Sequence, residues 1–256
     1  MPLRLDENAL SPGEKLLWEY GIETPDEIDL EAIAADRGLT VKRRSLDGAD
    51  ARLVATASAG IITVNSATSE KRQRFSIGHE IGHWERDRKH GLLNLCTKAD
   101  LAPQNQQAKN SEAEANIFSA DLILPPYLVS TRTAGKNASI DLILNVAEEF
   151  RTSREATGIR ITRLARAPTM IMVFSRHGRK WAIKNSAWPH YVSPVSVVHH
   201  DSPSMDLLFA GTKNAKTRDQ KEPAVRWVVG EGLRTVDVKV QSVKLWTSDI
   251  LSIVRL

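Results

Sequence analysis

One pentapeptide constrains this chain more than any other feature: His79-Glu80-Ile81-Gly82-His83, within the stretch RFSIGHEIGHWERDRKH. Two histidines four residues apart stand one above the other only if the backbone is helical. On a helix both imidazoles can grip one metal ion, and the intervening glutamate can reach a water on it. The segment from about Glu70 to Arg88 is therefore expected to be a helix with one face turned to another element. Gly78 and Gly82, also four apart, each cost a helix about 1 kcal/mol relative to alanine. Two in one turn predict a close approach by another backbone or by substrate. Phe75, one turn before His79, reads as core.

A catalytic zinc usually takes three protein ligands and keeps one position open. The third is expected from a second helix, residues 111–124, which Pro125-Pro126 ends. It offers Glu112 and Glu114, which point to different sides. Glu112 is favoured, because Asn116 lies four residues later on its face and could hold a histidine by the second ring nitrogen. Ala115, Phe118 and Leu122 fall at spacings that pack this helix on the first. Glu80 is then the general base and not a ligand: it takes the proton of the attacking water and passes it to the leaving nitrogen. Two histidines and a carboxylate suit zinc best, and also accept other first-row ions such as manganese. No oxyanion donor stands out; His90, Tyr127 and the nearby arginines read as structural. Cys96, in the loop after the motif helix, is a weak candidate for an extra ligand. His199-His200 is not expected to bind metal, since adjacent residues rarely face one ion together.

Charge and composition narrow the setting. The net charge of +4 hides an asymmetry. Residues 1–130 carry 15 Lys+Arg against 20 Asp+Glu, and residues 131–256 carry 20 against 11. A basic second half suits either an acidic partner, nucleic acid included, or a solvated surface. A single cysteine rules out an intrachain disulfide and favours a reducing compartment. The first residues carry no signal or transit pattern, and no stretch approaches a membrane span. The expected location is cytoplasmic.

The pattern along the chain is that of an α+β protein. Helices are expected at Pro12–Tyr20, behind Ser11 as cap, and at Asp29–Arg37. Strands are expected at Leu39–Arg44, Ala51–Thr56 and Gly60–Asn65. The last, GIITVN, reads as a buried strand and as an edge to which an extended substrate could add. Residues 91–110 read as a loop, and Ala138–Ala165 as two helices broken near Thr152-Ser153. MIMVFS, KWAIKN, AVRWVVG and TVDVKVQSVKLW then alternate like strands. Three parts follow: a metallopeptidase domain over 1–128, a helical segment over 129–168 and a β-rich domain over 169–256. Trp181, Trp188, Trp227 and Trp246 in the last read as core rather than pocket.

RFSIGHEIGHW, followed about thirty residues later by EAEANIFSADLILP, resembles the ImmA/IrrE family of metallopeptidases. That family's pattern is F-[ST]-x-[AG]-HE-x-GH and then E-x-x-A-N-x-F-A-x-x-L-L-x-P. This chain departs mildly at Ser119, Ala120, Asp121 and Ile123. The resemblance is clear over residues 10–128 and fades beyond them. It implies a zincin-like fold with His79, His83 and Glu112 as zinc ligands and Glu80 as catalyst. It also implies a substrate, a helix-turn-helix transcriptional repressor cut in stress response or mobile-element regulation. Residues 140–165 resemble the helix-turn-helix-like segment that some members carry, with Ala147 and Phe150 as core and Ser153 as cap. Arg154, Arg160 and Arg163 could touch phosphates there. Direct nucleic-acid binding is nonetheless not favoured, because a short basic helix pair is weak grounds for it. A sensor role for the last part rests on the resemblance alone. The competing reading is a DNA-associated regulator or interaction protein whose metal site is structural.

Overall fold

The computed structural model describes residues 6–56, 58–90, 106–212, 215–246 and 248–256, with the side chains of 87–90 and 106–108 outside the description. Cys96, the His90 ring and most of the expected loop at 91–110 lie outside the described residues. The chain divides into two compact units. The first is Met1–Leu128 with Glu149–Thr152, and the second is Val129–Glu148 with Ser153–Leu256.

The first unit is built around the motif helix. Helix α1 (Pro12–Glu19) starts at a capping box: Ser11 Oγ accepts from the Glu14 N–H, and the Glu14 carboxylate accepts from the Ser11 N–H. This satisfies backbone donors that a helix start leaves open. Helix α2 (Leu30–Asp36), capped by Asp29, leads into strand β1 (Leu39–Arg44), then β2 (Ala51–Ala55) and β3 (Gly60–Asn65). Helix α3 (Glu70–His90) carries the histidine motif, and α4 (Gln106–Ile123) packs against it. The second element thus begins earlier than expected, taking in residues 106–110. Pro126 does not merely stop α4. It opens α5 (Pro126–Thr133), where a missing N–H at the first turn costs nothing.

Strand order is β1-β3-β2, with β1 parallel and β2 antiparallel to β3. GIITVN is therefore the central strand, paired on both sides, and not the expected edge. Its burial alternates, with Gly60, Ile62 and Val64 buried and Ile61 exposed. The edges are β1 and β2. Buried Ile77, Ile81 and Trp84 form one stripe of α3, which packs on β2 and β3. Burial of each is worth about 1.5–3 kcal/mol. The Trp84 indole N–H also donates to the Arg37 carbonyl at 3.0 Å, anchoring α3 to the end of α2.

The two motif glycines meet α4. A Cβ on Gly78 would lie 2.7 Å from Ser119 Oγ, and one on Gly82 would lie 3.0 Å from the Phe118 ring. The Ser119 hydroxyl donates to the Phe75 carbonyl at 2.7 Å, so it cannot turn aside without losing that bond. Gly78→Ala gains about 1 kcal/mol of helix propensity but overpacks this contact at about 1–3 kcal/mol. It should lower the melting temperature, whereas Gly82→Ala, whose Cβ would come no nearer than 3.0 Å to Phe118, should lower it less. Thermal denaturation of the two variants checks the order.

The second unit holds α6 (Ile140–Glu149) and α7 (Arg154–Leu164), then β4 (Thr169–Ser175), β5 (Gly178–Lys184), β6 (Ser193–Pro194), α8 (Pro203–Phe209), β7 (Gln220–Pro223), β8 (Val228–Val229), β9 (Asp237–Lys244) and β10 (Ile250–Arg255). An antiparallel sheet runs β5-β4-β10-β9-β7, and β6 pairs with β8. Strands β4 and β10 are central and covered on both faces, so their residues read as almost unbroken apolar runs. AVRWVVG is mostly not a strand: a 3-10 turn over Ala224–Arg226 precedes the two-residue β8. Helix α8 has no clear apolar period in the sequence and was not expected. Trp188 and Trp227 are buried in the core, Trp181 is half-buried, and Trp246 is exposed.

In this unit α7 packs on β4 and β5, and Gly158 lies so close to Ile171 that a Cβ would overlap its side chain. Ser153 caps α7 as expected, accepting from the Ala156 N–H. Arg154 donates to the Lys244 carbonyl at 3.2 Å and stacks over Trp246, so it is already engaged within the unit. No helix among the described residues is long and apolar enough to cross a membrane.

Candidate metal centre

Helix α3 buries Ile77, Ile81 and Trp84 on one side, which turns residues 79, 83 and 86 toward α4. There the side chains of His79, His83 and Glu112 converge. The two histidine Nε2 atoms are 3.0 Å apart. Glu112 Oε2 lies 3.3 Å from His79 Nε2, and Oε1 lies 3.2 Å from His83 Nε2. The rings meet edge to face at 4.6 Å between centroids. The His83 side chain is 4% exposed and that of His79 17%, while Glu112 at 45% leaves the centre open on its side.

Asn116, one turn beyond Glu112, places Oδ1 3.1 Å from His79 Nδ1. An amide oxygen only accepts, so Nδ1 carries the proton and the Nε2 lone pair faces Glu112 and His83. Glu114 points elsewhere: its carboxylate lies 3.9 Å from the Arg86 guanidinium. Arg86 also places Nη2 3.5 Å from His83 Nδ1, a contact at the outer limit of hydrogen bonding that does not dictate the tautomer. Arg86, one of the nearby arginines that the sequence reads as structural, is thus a direct neighbour of the site, one turn after His83 on the same helix. Phe75 flanks the centre, its ring 6.3 Å from that of His79.

Glu80 is buried, and its Oε2 has no hydrogen-bond partner among the described residues. Burial pushes its carboxyl above the usual range, with His83 and His79 pulling the other way. Contacts to His79 and His83 hold the Glu112 carboxyl well below the usual range. For His79, burial opposes the charged ring, but Glu112 and Glu80 outweigh it and raise the pKa. Tyr127 belongs to the framework. Its hydroxyl is buried and donates to the Ile22 carbonyl at 2.6 Å, so it is not placed to steady an oxyanion.

The donor set fits a metal ion. The two ring nitrogens are 3.0 Å apart, and each lies 3.2–3.3 Å from one of the two Glu112 carboxylate oxygens. Ligands about 2.0–2.1 Å from a tetrahedral zinc would lie about 3.3 Å apart. Lone pairs so close repel unless positive charge stands among them.

A family model described as the IrrE N-terminal-like domain of the M78 peptidases matches residues 34–162, just over half of the chain. The chain belongs to this family. The matched region runs from α2 to α7 and contains both helices of the candidate centre. M78 membership makes the chain a metallopeptidase by family, and a protein the class of substrate. No curated protein matches the sequence. Among solved structures, a Mycobacterium tuberculosis transcriptional regulator is similar, with a TM-score of 0.55 at 16% identity. The alignment covers 95% of this chain and 74% of that one, and the likeness is one of fold.

Proposed function

We propose that this M78 protein is a zinc-dependent endopeptidase that hydrolyses a peptide bond in one specific protein, a helix-turn-helix transcriptional repressor. The reading rests on one observation: His79, His83 and Glu112 converge beside a buried carboxylate, Glu80, that has an unpaired oxygen. A purely structural site has no use for such a group, since an unsatisfied buried polar atom costs about 1–3 kcal/mol.

In this reading His79, His83 and Glu112 hold the ion, and Asn116 keeps the His79 ring turned toward it. Zinc, or manganese in its place, supplies Lewis acidity that brings the pKa of a water toward neutrality. Glu80 accepts the proton of the attacking water and returns it to the amine nitrogen as the peptide bond breaks. Burial raises its pKa above the ordinary carboxylate range, which makes it a stronger base than an exposed glutamate. An extended substrate segment pairs with β2, the edge strand that packs on α3.

The repressor substrate, and a role in stress response or mobile-element regulation, follow from the likeness to ImmA/IrrE peptidases. The fold shared with a protein described as a transcriptional regulator is compatible with that setting. Direct DNA binding is not favoured: α7 is pressed on the sheet, and Arg154 is engaged by Lys244 and Trp246. The single cysteine agrees with a cytoplasmic location. The proposed limits are 1–128 for the peptidase, 129–168 for the helical segment and 169–256 for the β-rich part, the last two packing as one compact unit apart from Glu149–Thr152.

Incubation of the purified chain with candidate repressors, followed by intact-mass spectrometry, tests the reading. Discrete fragments should form, vanish with a chelator and return on adding zinc. Stoichiometric binding with no cut under zinc-replete conditions would favour the interaction-protein reading instead.

A further inference from the structure

A second cluster of ligand-type side chains lies in the other unit, in the turn that leads into α8. His199, His200 and Asp201 are consecutive. In a strand their side chains would alternate, and in a helix they would fan out by about 100° each. The turn does neither. A Ser202 N–H donates to the His199 carbonyl at 3.0 Å, closing the loop, and the two imidazoles stack with centroids 4.3 Å apart and planes 22° from parallel. Adjacent residues in regular backbone rarely face one ion together; here the turn stacks the two rings beside Asp201.

Asp201 completes the set. Its Oδ1 is 3.3 Å from His200 Nε2, and its Oδ2 is 3.9 Å from His199 Nδ1. One ligand atom from each of the three residues lies within 4.8 Å of the others. The Asp201 backbone N–H donates to His199 Nδ1 at 3.2 Å, so an ion bound through that nitrogen would take the place of this hydrogen bond.

The turn is held from beneath. Ser202 caps α8, and Ser204 on the first turn of α8 shares a buried hydroxyl chain with Ser242 and Ser252 of the central sheet, at 2.8 and 2.7 Å. From the other side Arg226 donates to the Asp201 carbonyl at 3.1 Å. The backbone of the three residues is thus placed by the core of the unit, while the side chains of His200 and Asp201 stay open to solvent, at 80% and 56% exposure.

We propose that His199, His200 and Asp201 form a second metal site, distinct from the His79 centre, for a divalent first-row transition ion such as Zn(II), Ni(II) or Cu(II). Two imidazoles and one carboxylate suit borderline ions, and the exposed side leaves positions for water. The Arg226 guanidinium stands 3.7 Å from Asp201 Oδ2 and offsets part of the carboxylate charge. The site is therefore weaker than the buried His79 centre, and Cu(II), at the top of the divalent affinity order, fills it first.

The test is Cu(II) and Ni(II) titration of the full chain without an affinity tag, beside His200→Ala, Asp201→Asn and His83→Ala. Bound ion per chain is read after gel filtration, and the copper signal by electron paramagnetic resonance. His200→Ala should lose about one equivalent of ion relative to the parent. Asp201→Asn should bind more weakly, and His83→Ala should keep this equivalent. Since His200 is exposed, its replacement leaves the fold intact, which circular dichroism verifies. Equal uptake by the parent and His200→Ala overturns the proposal. That outcome is independent of whether the His79 centre binds metal, because the comparison is made at fixed His79 and His83.

Discussion

Glu80→Gln should keep both fold and metal and lose about 10²–10⁴-fold in turnover, the usual contribution of a positioned general base. That is about 3–5 kcal/mol of transition-state stabilisation. Glutamine matches the side chain in shape and keeps an oxygen, but it takes up no proton. Nothing in the reading makes Glu80 a ligand, so metal content should match the parent. Stability should not fall either. The carboxylate is buried with an unpaired oxygen, and removing its charge relieves a desolvation cost rather than breaking a bond. Metal analysis, a melting curve and the cleavage assay on one preparation separate the cases. Normal turnover by Glu80→Gln would sink the mechanism. Loss of metal would recast Glu80 as a ligand.

Glu112→Ala should lose metal and cutting together. It removes one of three ligands, and affinity should fall by more than the 10–100-fold typical of losing an outer partner. Glu114→Ala is the matched control: that carboxylate faces Arg86 and not the histidines, so metal content and activity should stay near the parent's. The two also differ in their weight in the fold. Without Glu112 both histidines lose their carboxylate partner. The Glu114 pair is exposed and worth little, as surface ion pairs are. A full metal complement in Glu112→Ala would move the third ligand elsewhere.

The difference between these two glutamates shows how much was legible in the sequence. Helical spacing separated Glu112 from Glu114 and grouped Glu112 with Asn116, but which side faced α3 depended on how two helices pack. The same limit applies to GIITVN. Its apolar run announced a strand, yet its rank in the sheet follows from pairing with β1 on one side and β2 on the other, contacts that no local pattern encodes. Helix α5 opens on Pro126, which reads in the sequence as the end of α4 although it serves equally as a first helical residue, and α8 carries no clear apolar period. Gly78 and Gly82 announced a close approach, but not that Ser119 and Phe118 make it.

By itself the sequence determined what short-range geometry can carry: that residues 79–83 must be helical to act together, that Glu80 stands between the histidines and off their line, and that the caps and period-2 runs divide the chain into an α+β order. Tertiary structure alone decided which carboxylate joins the histidines, which strand forms the edge, and that His199 and His200 stack rather than diverge. The physical reason is one of range. Dihedral preferences and side-chain periodicity act over a few residues. Strand order and helix contacts depend on long-range burial, where many elements compete for the same apolar faces.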